Sequence, residues 1–433
     1  MAPQVLLVAA YDSQLKWATS IGAEFGAQGW EYAVLVPADV RHSLSATQVA
    51  AVGDVPLLRL PWAELLQRAR LADCVVLAVQ GPLVARFTDE LELLRGVTPD
   101  GHEPVVVTGW VGIIIEKLVA GYLDRAGSDV IAVNSADNLR DFTEAGHLLG
   151  IAPDNLLLSG LPLLPARPAP LAEGRVRTLL FADQPTVPDT PWDRAYLYVR
   201  LAEYARRHPD RTVLLKPRHR PDEGTFHVMQ DHPEAVLARM GPLPANFSVT
   251  YDSITSLLPA TDLLLTISST AGLEAIGQGV RTVFVSDLGV HEKHGNHVLV
   301  RSGLLATFDD VLADLIPRPD PAWLADVFSG DERRPTARIV QRVIELTAVP
   351  ARDRPSRRVA DGPYLSGRVA IRRQRQQLPS IARDPSESAS EGARRLVSRL
   401  MPLVHRGDLL LRAVLPGRWY QKALVVWRKA RVG

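Results

Sequence analysis

The sequence predicts an α/β protein of two doubly wound halves facing each other across a cleft, followed by a basic C-terminal extension. Three observations carry this reading. Short β-branched runs alternate with helix-like stretches from the N-terminus to about residue 350, as they do in parallel βαβ units. A Pro-rich segment at 162–175, PLLPARPAPLAEGR, interrupts the alternation near its middle, as a linker does. Charge is also unevenly spread: residues 352–433 hold 19 basic and 6 acidic groups, although the formal net charge of the whole chain is only +1.

In chain order, QVLLVAA reads as the first strand and Leu15 to Gly29 as a helix closed by its glycine. YAVLVP and PLLRL are strands, Trp62 to Leu71 a helix, CVVLAVQG a strand and Val84 to Leu94 a helix. PVVVTGW, SDVIAVNS and LLLSGLPLL complete the strands of the first half. In the second half TLLFAD, TVLLKPR, SVTYDS, DLLLTISS and RTVFVSD read as strands. Trp192 to Arg207 is a helix after the first of them, and Arg338 to Val349 closes the half. The predicted organisation is a first domain over 1–164, a linker over 165–175, a second domain over 176–350, a flexible basic linker over 351–392 and a basic amphipathic tail over 393–433.

At 433 residues, with 46% apolar and 22% charged residues, the chain is long enough for two globular domains. A single cysteine, Cys74, excludes an intrachain disulfide framework and fits a reducing cytoplasm. The N-terminus enters a strand without a basic region, so no signal peptide is expected. No apolar run approaches the roughly 18–20 residues of a membrane span. The basic tail on an acidic body points to an anionic partner. A membrane surface suits the mixture of Leu, Val and Trp with Arg and Lys over 393–431. Nucleic acid is not expected, because no recognised binding fold accompanies the tail.

Four motifs fall at the carboxyl ends of predicted strands, where open α/β sheets bind ligands. Thr266 to Gly279, TISSTAGLEAIGQG, reads as strand, turn and helix. Its helix start would offer free N–H groups to a phosphate, with Ser268, Ser269 and Thr270 adding hydroxyls. Gly272 would let a ligand approach the backbone, and Glu274 would reach a sugar or ribose. The alternative is an ordinary serine-capped helix. In VAAYDSQLKW, Asp12 is either a general base for an acceptor hydroxyl or, with Ser13, a helix cap. Lys16 is placed for an anion, so Ser13 and Lys16 are assigned to the acceptor side.

In LLKPRHRPDEGTFH, Lys216, Arg218, His219 and Arg220 with His227 form a candidate phosphate clamp, the alternative being a solvated loop of mixed charge. In TGWVGIIIEKL, Gly109 could shape the acceptor side, and Glu116 is the second candidate base. The loop VSDLGVHEKHGNH carries His291, His294 and His297; loop polarity explains it more cheaply than a metal, and no metal site is assigned. Neither a GxxxxGK[ST] loop, a GxGxxG turn after the first strand nor a GxSxG elbow is present, which argues against P-loop kinases, dehydrogenases and α/β-hydrolases.

DSQLKW after the first strand, SGLPLL before the linker, LLKPRHRPDEGTFH and TISSTAGLEAIGQG together resemble a bacterial glycosyltransferase family of GT-B type. They are more distantly similar to capsule and lipooligosaccharide sialyltransferases, polysialyltransferases and CDP-glycerol glycerophosphotransferases. The resemblance covers about residues 1–345 and implies two Rossmann-like domains, GT-B fashion. It implies transfer of a sugar from a CMP- or other NDP-linked donor to a cell-surface polysaccharide or glycolipid, with no further cofactor. His219 falls at the family's His-Pro position, although this chain reads His-Arg-Pro, and Ser268 to Thr270 fall at its hydroxyl pair. An acidic residue of the first domain would be the base, with Asp12 ahead of Glu116. Such an enzyme would be cytoplasmic, at the inner face of the membrane. The alternatives are a UDP-sugar 2-epimerase-like enzyme and a non-catalytic glycan-binding or scaffold protein of the same fold.

Overall fold

The computed structural model describes residues 2–39, 44, 49, 55–94, 102–115, 118–221, 231–328, 332–360 and 362–377. Residues 1–369 form one compact unit and 370–433 another; the tail over 393–433 lies outside the described residues.

Two parallel sheets organise the first unit. The N-terminal sheet contains β1 (Gln4–Ala9), β2 (Glu31–Pro37), β3 (Leu57–Leu60), β4 (Cys74–Ala78), β5 (Val105–Gly109), β6 (Val130–Val133) and β7 (Leu156–Leu158), in the order β3-β2-β1-β4-β5-β6-β7. The second contains β8 (Thr178–Ala182), β9 (Thr212–Lys216), β10 (Phe247–Val249), β11 (Leu263–Thr266), β12 (Arg281–Val285) and β13 (Leu305–Ala306), ordered β10-β9-β8-β11-β12-β13. Every recorded pairing is parallel, with β1 in register against both β2 and β4, and β8 against both β9 and β11. The strands are nearly continuous apolar runs because helices cover both faces. Strand order reverses between β1 and β4 in one sheet and between β8 and β11 in the other, the position where open α/β sheets bind ligands.

The helices are α1 (Asp12–Ala27), α2 (Trp62–Ala69), α3 (Gly81–Leu93), α4 (Leu118–Arg125), α5 (Ala136–Leu148), α6 (Pro191–Arg207), α7 (Pro233–Leu237), α8 (Ile254–Leu257), α9 (Ala271–Gly277), α10 (Phe308–Leu312), α11 (Pro321–Val327), α12 (Pro335–Thr347), α13 (Pro355–Ala360) and α14 (Pro363–Gln377). α5, α7, α8, α10, α11 and the two-residue β13 were not among the elements expected from the sequence. α5 turns only Phe142, Ala145 and Gly146 fully inward, too sparse a stripe to stand out in the sequence. α1 begins at Asp12 rather than Leu15.

Two boundaries differ from expectation. α12, read as the closing helix of the second half, buries Ile339, Val340, Val343 and Leu346 in the core beneath α1 and the N-terminal sheet. The chain therefore returns to its first half. Residues 351–369, expected to belong to a flexible linker, are largely helical and packed. Val359 and Leu365 join Tyr122 and Phe142 in one apolar cluster. Arg368 Nε donates to Asp89 Oδ1 at 2.7 Å, Arg354 Nη1 donates to the Glu103 carbonyl at 2.8 Å, Arg357 pairs with Glu92, and Ser356 donates to Asp129. Acidic partners on the N-terminal half, distant in sequence, order a basic segment that composition alone reads as loose.

Candidate functional site

β1 ends at Ala9, and the following turn is fixed when the Ala10 amide donates to Gln14 Oε1 at 3.0 Å. Tyr11 is the N-cap of α1 and makes no side-chain cap bond, so Asp12 and Ser13 do not cap the helix. Asp12 and Lys16 lie one turn apart, with Lys16 Nζ 3.7 Å from Asp12 Oδ2. From the opposite sheet, β9 ends at Lys216 and the chain turns at Pro217. Two residues past the strand, Arg218 Nη2 reaches across the cleft to Asp12 Oδ2 at 3.0 Å. This bridge joins the turn after β1, at the switch point of the first sheet, to the turn after β9, one strand from the switch point of the second.

Lys216 lies in the same field. Burial, then the nearby Arg218 and Lys16 charges, push its pKa down to about 8 against the opposing pull of Asp12 and Asp252. Glu274, in the first turn of α9, is the fifth member. Burial raises its carboxyl pKa, while Lys16, Arg218 and Lys216 act to lower it and Asp12 to raise it. Three cations thus surround two carboxylates, one of which is held toward its neutral form. The cluster carries surplus positive charge in a partly desolvated cleft, the condition under which an anion is most strongly attracted.

The hydroxyl residues divide. Ser268 is buried and fully engaged: its Oγ donates to the His294 carbonyl at 2.6 Å and accepts from Gln184 Nε2 at 3.2 Å. Its amide donates to Gln184 Oε1 at 2.9 Å. It fixes the loop and offers no free hydroxyl. Ser269 Oγ accepts from the Ala271 amide at 3.2 Å, and Thr270 Oγ1 accepts across the cleft from the Ile113 amide at 3.3 Å. In each of these bonds the hydroxyl acts as acceptor, leaving its proton to donate elsewhere.

Gly272, expected to admit ligand, and Gly109, expected to shape the acceptor side, both serve packing. A Cβ on Gly272 would stand 2.6 Å from Phe284 Cε1, and one on Gly109 would lie 3.0 Å from Trp17 Cζ2 and 2.9 Å from the Ala132 carbonyl. Gly272 lets α9 sit down on β12, and Gly109 lets β5 pass under α1.

His219 is turned into its own loop. Its Nδ1 is 2.8 Å from the Arg220 carbonyl, its carbonyl is 3.0 Å from His232 Nε2, and its Nε2 is buried without a hydrogen-bond partner. Ser13 is half-buried beside Asp12. Glu116 and His227 lie outside the described residues. His291 accepts from the Lys293 amide at 3.1 Å, and His294 is buried. Among the described residues no group of three His, Cys, Asp or Glu side chains is placed to hold a metal ion.

Sequence reasoning did not single out Gln184, whose amide ties the loop after β8 to the loop after β11. Its position directly after the run TLLFAD was the available signal. Nor did it find the second opening between the halves, a cavity of about 220 Å³ walled by Ile113, Leu161, Leu273 and Trp323, with Asn134 and Asp326 among its polar lining. Its walls come from segments scattered across both halves.

Comparison with known proteins bears on the fold and the family. Among solved structures, the chain is similar to a putative UDP-N-acetylglucosamine 2-epimerase from Listeria monocytogenes. That match has a TM-score of 0.50 at 12% identity, covering 80% of this chain and 96% of that one. It is also similar to UGT89C1 of Arabidopsis thaliana complexed with UDP-L-rhamnose, with TM-score 0.47, 13% identity and coverage of 86% and 98%. MurG of Acinetobacter baumannii gives TM-score 0.41, 12% identity and coverage of 85% and 99%. At these identities the likeness shows the fold, and the first of the three carries it. No curated protein matches the chain. The family model described as putative glycosyltransferase (DUF6716) matches residues 5–346, so the chain belongs to that family and is an enzyme of GT-B fold.

Proposed function

We propose that the protein transfers a sugar from a nucleotide-activated donor to a hydroxyl of a cell-surface polysaccharide or glycolipid, without a metal ion. The observation that carries this is the cluster of Lys16, Lys216 and Arg218 around Asp12 and Glu274, where the crevices of the two halves meet. The donor's phosphate displaces the Asp12 carboxylate from Arg218 and sits among the three cations, with the hydroxyls of Ser269 and Thr270 donating to it. Glu274 accepts from a ribose or sugar hydroxyl. Asp12, released from Arg218, takes the proton of the acceptor hydroxyl. That oxygen attacks the anomeric carbon, the bond from carbon to phosphate oxygen breaks, and the electron pair leaves with the phosphate. Lys216, Arg218 and Lys16 are aimed where this charge grows; they supply the positive potential that a divalent ion would otherwise provide. Glu116, His219 and His227 flank this arrangement in sequence and take no assigned step. Among the described residues no helix is long and apolar enough to cross a membrane. The basic, apolar tail suits docking from the cytoplasm on an anionic membrane that carries the acceptor.

The test is thermal shift of the full-length protein with CMP, CDP, UDP, GDP, ADP and TDP. One base stabilises the protein, and Lys216→Met/Arg218→Met abolishes that shift. Asp12→Asn keeps donor affinity and loses turnover by about 10²-fold or more. A folded sample indifferent to all six nucleotides overturns the reading. Isomerisation of the donor sugar without any acceptor would instead establish a 2-epimerase on this fold. Unchanged turnover in Asp12→Asn would remove Asp12 from the chemistry.

A further inference from the structure

α6 packs Leu197, Tyr198, Leu201, Tyr204 and Ala205 into the core of the second half. Its outward face is unusual for a helix on a protein surface. Trp192 is 86% exposed, Val199 48% and Tyr196 40%. These three stand at i, i+4 and i+7, so they form one stripe. The same face continues through Glu203 to Arg206. Isolated exposed apolar residues are ordinary, but an aligned set that includes a nearly bare tryptophan marks a contact surface.

The charges name the partner. Asp189 and Asp193 lie at the amino end of this helix, and Arg206 and Arg207, both exposed, lie at its carboxyl end. Val199 is the midpoint of Pro191–Arg207. The pattern is self-complementary when a second copy of the helix runs antiparallel through a two-fold axis at Val199. Trp192 then meets Arg206 of the partner subunit, a guanidinium over an indole. The acidic end of each helix meets the basic end of the other, and Val199 packs on its own symmetry mate. A lipid surface suits the stripe poorly. Tyr196 Oη donates to Asp287 Oδ1 at 2.7 Å, and Asp309 and Glu203 bind Arg200 beside it, so carboxylates rim the stripe and would repel anionic headgroups. We infer that the protein forms an isologous homodimer through α6.

A single helix of 17 residues offers a contact about 25 Å long, at the small end of specific interfaces, so the dimer dissociates in the micromolar range. Sedimentation equilibrium of the full chain at about 100 µM, above that range, yields twice the 47.4 kDa of one chain. Trp192→Ala/Val199→Glu yields monomers with an unchanged circular dichroism spectrum. Arg206→Glu/Arg207→Glu and Asp189→Lys/Asp193→Lys are each monomeric alone. Mixed in equal amounts they re-associate, because the antiparallel arrangement sets every acidic end against a basic one. A monomeric wild type, a dimer that survives Trp192→Ala/Val199→Glu, or charge variants that stay apart on mixing would each overturn the proposal. An unchanged circular dichroism spectrum of each charge variant separates loss of association from loss of folding.

Discussion

Asp12 occupies a position where two halves, two helix turns and two opposite charges meet, and its neighbours decide what it can do. Lys216 is the most informative of them, because its folded pKa of about 8 lies below the ordinary 10.5. The unfolded chain therefore binds more protons than the folded one between these values. This lysine costs stability at low pH, and the cost is relieved as pH rises from about 8 toward 10.5. An arriving phosphate reverses the shift by restoring the favourable state of the ammonium. Nucleotide binding near pH 8 to 9 is accordingly accompanied by proton uptake, which fades below about pH 7, and affinity weakens as pH climbs past 8. Isothermal titration in buffers of different ionisation heat measures the uptake, and Lys216→Met should abolish it. Packing sets the role of Gly272. With a Cβ only 2.6 Å from the buried ring of Phe284, Gly272→Ala should destabilise the fold by about 1–3 kcal/mol, read by urea unfolding. Strand-end position made Asp12, Lys16, Lys216, Arg218 and Glu274 legible in the sequence, since residues there project into a crevice whatever their neighbours. The engagement of Ser268 by His294 and Gln184, and the closure of Gly272 against Phe284, were not legible. They depend on a backbone carbonyl and on side chains 12 or more residues away whose facing only the fold determines.

At the scale of elements, the alternation of β-branched runs fixed most strands of both sheets, because a buried parallel strand needs little besides continuous apolar residues. α5 and the segment from Arg352 to Val369 escaped for opposite reasons. α5 buries only three residues and is held at its amino end, with Ser135 Oγ accepting from the Asn138 amide and Asp326 Oδ1 from the Asp137 amide. The basic segment carries the composition of a loose linker, yet meets a ready-made acidic surface. Asp89 shows how much that surface needs it, since its side chain is 1% exposed and pairs with Arg368. Arg368→Ala removes one cationic partner from that buried carboxylate and should cost about 1–3 kcal/mol. Arg368→Lys should recover part of the loss, and chemical denaturation compares the two.

For the whole molecule, the carboxyl ends of the two sheets are bridged by Arg218 with Asp12 and by the Ile113 amide with Thr270. Arg301 pairs with Asp137 at 2.7 Å further along. The polypeptide also crosses between the halves twice, once through the Pro-rich strap and again through α12. That second crossing bears on synthesis. The N-terminal sheet leaves the ribosome first, but Ile339, Val343, Val359 and Leu365, which seal its core, leave after every strand of the second sheet. The N-terminal half therefore cannot complete its core until the segment that follows the second sheet has been made.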